Sequence, residues 1–165
     1  MGAFRVRRAR SEDVEGILSL LEAVAAERQH ILTEPPIERD VRRKRFLETI
    51  QSDDAFIFVA EAGGKVVGEL SVFRRASTGP ATLGMGVLAP WRGKGVGTAL
   101  MHACVEWARE AGVHKLSLEV FPWNEAAIGL YRKFGFVEEG RLRKQYRRQS
   151  GEFWDVLVMG LLLEP

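Results

Sequence analysis

The spacing of apolar positions changes along this chain, and each change marks an element. Phe4, Val6 and Arg8 alternate against Arg5 and Arg7, which predicts a first strand. Val14, Ile17, Leu18, Leu21 and Ala25 recur at helical spacing. They predict a helix over residues 12–28, with Ser11 as its N-cap and Glu12 and Asp13 in the first turn. Pro35-Pro36 breaks the pattern, and Val41, Phe46, Leu47 and Ile50 predict a second helix over residues 37–51. Apolar runs at 56–61 and 66–74, joined by Gly63-Gly64, read as an antiparallel hairpin. A further strand ends at Val87. Val96, Leu100, Cys104 and Trp107 mark a helix over residues 95–111, closed by Gly112. Leu116, Leu118 and Val120 alternate in a strand over 115–120, stopped by Pro122. One crossover joins it to the strand before the helix, so the two are expected to be parallel. A last helix spans 124–134, and strands at 136–146 and 153–163 flank Gln149-Ser150-Gly151.

This order implies an α+β fold: a mixed sheet of about seven strands, mostly antiparallel, with helices on both faces. The 165 residues suit one domain, 1–165, with no repeat or linker. No apolar stretch is long enough to cross a bilayer. The start, Met1-Gly2-Ala3-Phe4-Arg5, has no apolar signal-peptide core. The single Cys104 cannot form an internal disulfide, which points to a reducing, cytoplasmic setting. Net charge is only +2, although arginines and lysines cluster at 5–10, 39–45 and 141–148. Such clusters read first as solvated faces and do not by themselves call for a nucleic-acid partner.

The stretch from Val87 to Gly97 carries the chemistry. Gly93, Gly95 and Gly97 follow the strand at every second position and open the helix. A helix N-terminus offers unpaired amides and the positive end of its dipole, and glycines let an anion approach that backbone. A phosphate or pyrophosphate site is the default reading. It is not a Walker loop, because no Gly-Lys pair here is followed by Ser or Thr. Gly84-x-Gly86-x-x-Ala89 has dinucleotide spacing, but Pro90 follows it and no helix starts there.

Arg92-x-x-Gly95-x-Gly97 resembles the acetyl-CoA loop of the GCN5-related N-acetyltransferase (GNAT) family. Asn124-x-x-Ala127-x-x-Leu130-Tyr131-x-x-x-Gly135-Phe136 resembles that family's second signature, in the expected order. The resemblance covers residues 56 onward and implies acetyl-CoA as co-substrate, lying where the two parallel strands splay apart. It implies cofactor contacts from Met85, Val87, Arg92, Gly93, Lys94, Gly95, Val96, Gly97, Thr98, Asn124 and Tyr131. In it, Met85 and Val87 pair with the pantetheine arm through their main chain, and the amide of Val87 or Leu88 faces the thioester oxygen. Tyr131 stands where the family places its general acid. Many relatives carry a carboxylate on the strand leading to Val87, but this chain has Thr82, Leu83, Gly84 and Met85 there. Glu119 and then Glu69, each polar within an apolar strand, are the candidate bases.

Cys104 shares a helical face with Leu100 and Trp107 and reads as core. His30, His102 and His114 lack metal-ligand spacing, so no metal is expected. The expected activity is N-acetylation of a small-molecule primary amine such as an amino acid, with Ile31 and Leu32 of the 29–36 loop as a lid. A protein N-terminal or lysine acetyltransferase would need an open groove instead. A non-catalytic acyl-CoA-binding module and a nucleic-acid binder are the alternatives of other classes. No membrane partner is expected, and the last two strands offer an edge for a homodimer.

Overall fold

The expected succession of elements is the one observed in the computed structural model, which describes residues 2–163. The strands are β1 (Arg5–Arg8), β2 (Ala55–Ala62), β3 (Lys65–Arg74), β4 (Ala81–Val87), β5 (Lys115–Val120), β6 (Val137–Arg147) and β7 (Phe153–Leu162). The helices are α1 (Val14–Ala26), α2 (Arg39–Gln51), α3 (Val96–Glu110) and α4 (Glu125–Lys133). One sheet runs β1-β2-β3-β4-β5-β7-β6, and β4–β5 is its parallel pair. The hairpin at Gly63-Gly64 has positive φ at both residues, as a two-residue turn between twisted strands requires.

The larger core lies on the face covered by α3. The buried stripe Val96, Leu100, Met101, Cys104, Val105 and Ala108 meets Leu70, Val72, Leu83, Leu116 and Leu118. Cys104 is fully buried there, and burial pushes its thiol up to about 12, so it packs as a small hydrophobe. α1 covers part of the opposite face with Ile17, Leu18, Leu20 and Val24. α2 has no buried residue; its Phe46 and Ile50 pack partly against Ala9, Ile57 and Val59. Arg39 and Arg43 fasten it to Glu15 of α1 at 2.8 and 2.6 Å.

The start of α1 departs from its sequence pattern. Ser11–Asp13 form a 3-10 turn, and Ser11 caps nothing. Asp13, the last residue of that turn, bonds backward instead of capping α1 with its side chain. Its carboxylate accepts the Arg10 amide at 2.7 Å and both Arg7 guanidinium nitrogens at 2.8 Å. The paired Arg7 draws Asp13 inward, which moves the first α-helical residue to Val14.

Two predictions concern stability. A Cβ on Gly68 would lie 2.7 Å from Val96 Cγ1 and 3.1 Å from Leu100 Cδ1, so this glycine sets how closely α3 sits on β3. Gly68→Val should cost about 1–3 kcal/mol, read from the urea midpoint. Asp13 is held below the usual carboxylate range, first by its bond from Arg7, against an opposing effect of burial. Its ionised form therefore stabilises the fold above the unfolded value of about 3.9, and that gain is lost as pH falls through the lowered folded value. Asp13→Asn should be less stable than the parent at pH 7. The gap between their urea midpoints should narrow on acidification below about pH 4.

Candidate active site

β4 and β5 pair only at Ala81–Leu116 and Thr82–Ser117. Beyond that point β4 stays bonded to β3 as far as Val87, and β5 stays bonded to β7 as far as Val120. The two strands part without either fraying, and a cavity of about 1050 Å³ opens at the gap. Backbone alternation decides which groups face it. The Leu88 amide bonds Val67 O at 3.0 Å, so Leu88 is turned toward β3 and away from the gap. The amides of Met85 and Val87, of opposite parity, then point across the splay. Of these two neighbouring amides, the one that faces the gap is that of Val87, not Leu88.

The glycine loop closes the wide end of the gap. Gly93 and Gly95 adopt φ of 69° and 86°, and a Cβ on either would meet nothing within 4 Å. Gly95 is the N-cap of α3, and the first bond of that turn runs from Ala99 N to Gly95 O at 3.0 Å. The amides of Val96, Gly97 and Thr98 therefore have no partner within the helix. Such a turn suits a diphosphate. Gly97 has another reason to be glycine. Its Cβ would come within 3.0 Å of Leu130 Cδ2 and 3.5 Å of Met85 Cε, so it lets α4 and β4 close on α3. Arg92 is tied down as well: it donates to Glu27 at 2.7 and 2.9 Å and to Val87 O at 3.0 Å. It braces the loop against the end of α1. Lys94 is exposed, with its ammonium 5.6 Å from the Trp91 ring centre.

Side chains from the two faces of the sheet meet at the gap. From the α3 and α4 side come Asn124 and Tyr131. Asn124 caps α4, accepting from Ala127 N at 3.3 Å. Tyr131 is 6% exposed, and burial pushes its phenol up to about 12, with Cys104 adding to the effect. It lines the cavity, and among the described residues no side-chain hydrogen bond is made by its hydroxyl.

Glu119 comes from the other face. It stands opposite Val158 of β7 and lines the cavity. Glu69 shares that face, opposite Gly86, but is not among the cavity walls. It is half-buried beside Ser71, whose hydroxyl donates to it. Burial pushes its carboxyl up to about 7 against that hydrogen bond. Of the two candidate bases, the structure brings only Glu119 to the cavity wall.

The loop between α1 and α2 covers this face. Its Ile31, Leu32 and Thr33 line the cavity. Three bonds clasp it: Trp123 Nε1 to Gln29 O at 3.0 Å, Arg148 Nη1 to Leu32 O at 2.8 Å, and Gln149 N to Glu34 at 3.0 Å. Arg148 is 4% exposed and lies 4.1 Å from the Trp154 ring centre, sandwiched rather than solvated. Neither it nor Tyr146, whose hydroxyl donates to Glu119, stands out in the sequence. Both lie in a basic tract, and only their distant partners distinguish them.

A sequence profile of the acetyltransferase (GNAT) family matches residues 21–136. The chain belongs to the GNAT family. It is therefore an N-acetyltransferase with acetyl-CoA as co-substrate. The L-methionine sulfoximine/L-methionine sulfone acetyltransferase of Pseudomonas aeruginosa is 29% identical, over 97% of this chain and 95% of its own. The L-amino acid N-acetyltransferase AaaT of Escherichia coli is 36% identical over 61% of this chain and 64% of its own. The crystal structure of a ribosomal-protein-alanine N-acetyltransferase from Brucella melitensis superposes with a TM-score of 0.87 at 30% identity, over 96% and 99% of the two chains.

The geometry of Gly95 in this GNAT enzyme generates a test. Asn tolerates positive φ better than most residues, whereas Glu adds strain of about 1–2 kcal/mol and a negative charge. Gly95→Asn should remain folded and bind acetyl-CoA at least about tenfold more weakly by calorimetry, and Gly95→Glu weaker still. Unchanged affinity in both would place the diphosphate elsewhere.

Proposed function

We propose that this enzyme acetylates the primary amine of a small amino-acid-like acceptor. The clasped lid carries the reading. Ile31, Leu32 and Thr33 wall the cavity on the acceptor side, and the three clasping bonds hold them there. A peptide substrate needs an open groove at that place. The P. aeruginosa relative, similar over nearly the whole of both chains, has small amino-acid-like substrates by name, as does AaaT. The resemblance to a ribosomal-protein-alanine acetyltransferase keeps a protein N-terminus as the second reading. Screening L-methionine sulfone, other L-amino acids and short peptides with acetyl-CoA, while following free thiol, separates the two. Thiol release with peptides alone would sink the small-acceptor reading.

In this reading acetyl-CoA threads the splay with its diphosphate on the Gly93–Thr98 amides and its pantetheine along Met85 and Val87. The acceptor enters from the lid face. Its ammonium gives a proton to a carboxylate, Glu119 first and the half-buried Glu69 second. The freed lone pair forms the C–N bond, and the Val87 amide holds the oxygen that becomes negative. As the C–S bond breaks, its electron pair stays on sulfur, and Tyr131 supplies the proton. The nitrogen, cationic once the C–N bond forms, gives its second proton to solvent, and solvent also restores the tyrosine proton and takes the one from the carboxylate. The enzyme works in the cytoplasm, where a lone buried Cys104 suits reducing conditions. It binds no nucleic acid, since Arg5, Arg7, Arg39 and Arg43 are engaged by carboxylates. It pairs as a homodimer through β6, the outer strand of the sheet, and β7.

Tyr131→Phe keeps the buried ring and removes the hydroxyl. Turnover should fall about 10²-fold, the low end for a general acid, because a thiolate is a good leaving group. Acetyl-CoA affinity should be little changed. Turnover equal to the parent across the pH range would leave Tyr131 as a packing residue.

A further inference from the structure

We propose that Tyr146 is the positioning residue for the amine-side base, fixing the Glu119 carboxylate so that one oxygen is held and the other faces the acceptor. This deepens the reading above and rests on it. The Tyr146 hydroxyl donates to Glu119 Oε2, and both residues line the cavity. Among the described residues no other side-chain hydrogen bond or ion pair involves Glu119, so Oε1 stays available. Glu119 lies on β5 and Tyr146 on β6, and β7 runs between them. The phenol therefore reaches over a whole strand to make this bond.

The sheet is shaped to allow that reach. Leu142 pairs with Val156, but Tyr146 pairs with Trp154, so β6 spends four residues where β7 spends two. Without the bulge, Lys144 would stand opposite Trp154. Tyr146 would sit two residues further out, about 6.6 Å away along the strand. Lys144 adopts φ of 49° within the bulge, and its amide donates to Asp155 at 2.8 Å. Arg141 also bonds Asp155, at 2.8 Å. Bulges beside active sites commonly re-aim one side chain. Here the side chain delivered is the phenol beside the candidate base.

The polarity of the bond follows from the chemistry. Burial first, and then the bond to Glu119, push the Tyr146 phenol up to about 12, so it remains a donor over the working range. A hydrogen bond to a carboxylate favours its charged form. With Tyr146 in place one Glu119 oxygen is held and the carboxylate is oriented. It accepts the ammonium proton as a carboxylic acid forms, then releases it to solvent. The other charged or titratable groups around the cavity are His30 from the lid, Arg75 from the β3–β4 turn, Arg92 from the glycine loop and Tyr131 from α4. Arg147 neighbours Tyr146 on β6, with its guanidinium 5.9 Å from the Phe153 ring centre.

Two measurements test the assignment. In the free enzyme, carbon NMR of the labelled Glu119 carboxyl gives its titration without any acceptor. Tyr146→Phe removes a hydrogen bond that favours the charged form and should move that midpoint upward. With L-methionine sulfone as acceptor, the acidic limb of kcat/KM should move the same way and turnover should fall about tenfold. Acetyl-CoA affinity should stay unchanged. His30→Gln as background should leave the displacement intact. In a Glu119→Gln background, Tyr146→Phe should add nothing further. An unmoved Glu119 midpoint, or effects of the two substitutions that multiply independently, would overturn the role of Tyr146. If the midpoint moves as expected but Glu119→Gln leaves turnover at the parent level, Glu119 is not the base, and the role assigned to Tyr146 falls with it. In that case the small-acceptor reading still stands. If only peptides release thiol, that reading fails instead, and the NMR shift and peptide kinetics still judge Tyr146.

Discussion

A ladder that stops after two residue pairs governs this structure. Buried backbone amides and carbonyls require partners, and a strand deprived of its neighbour must find others. β4 is bonded to β3 along one edge for its whole length, while its other edge loses β5 after Thr82. The amides of Met85 and Val87 are thus left facing a gap. In the proposed binding mode, a ligand able to bond as a strand completes the sheet there, and the pantetheine arm is held by backbone. The glycine loop follows from the same event. β4 must end where the gap is widest, and the chain turns there into α3 with its amides open.

The elements were legible because they are written locally. Helical spacing fixed α3 and α4, alternation fixed β5, and Gly93-x-Gly95 marked the turn. Asn124 and Tyr131 lie two turns apart on one helix, so their common face follows from geometry alone. The acceptor end was not legible to the same degree. The Glu119–Tyr146 bond joins residues 27 apart across an intervening strand and depends on a bulge. The partner of the Arg92 guanidinium, Glu27, lies 65 residues away. Gly97 looks like part of the anion turn, yet its neighbours are Leu130 and Met85. In each case the deciding partner is distant in the chain.

The arginine clusters show the same limit for charge. From sequence they form basic tracts. In the fold, Arg7 is shared between Asp13 and Glu61, and Arg39 between Glu15 and Glu22. Arg148 is buried against Trp154 and holds the lid. These ion pairs are mostly near the surface, where each contributes little. Their effect is to set where α1, α2 and the lid rest on the sheet, and thus how much room the acceptor has.

Tyr131 and Glu119 reach the gap from opposite faces of one sheet. The two substrates therefore need not pass through one another's entrance. Each can be seated while the other is present, and each product can depart by the side on which it came. In the proposed mechanism acetyl transfer then runs straight from sulfur to nitrogen through the slit between two strands, with no stage at which the protein itself carries the acyl group. The sheet acts as a partition with a window, and catalysis takes place in the window frame.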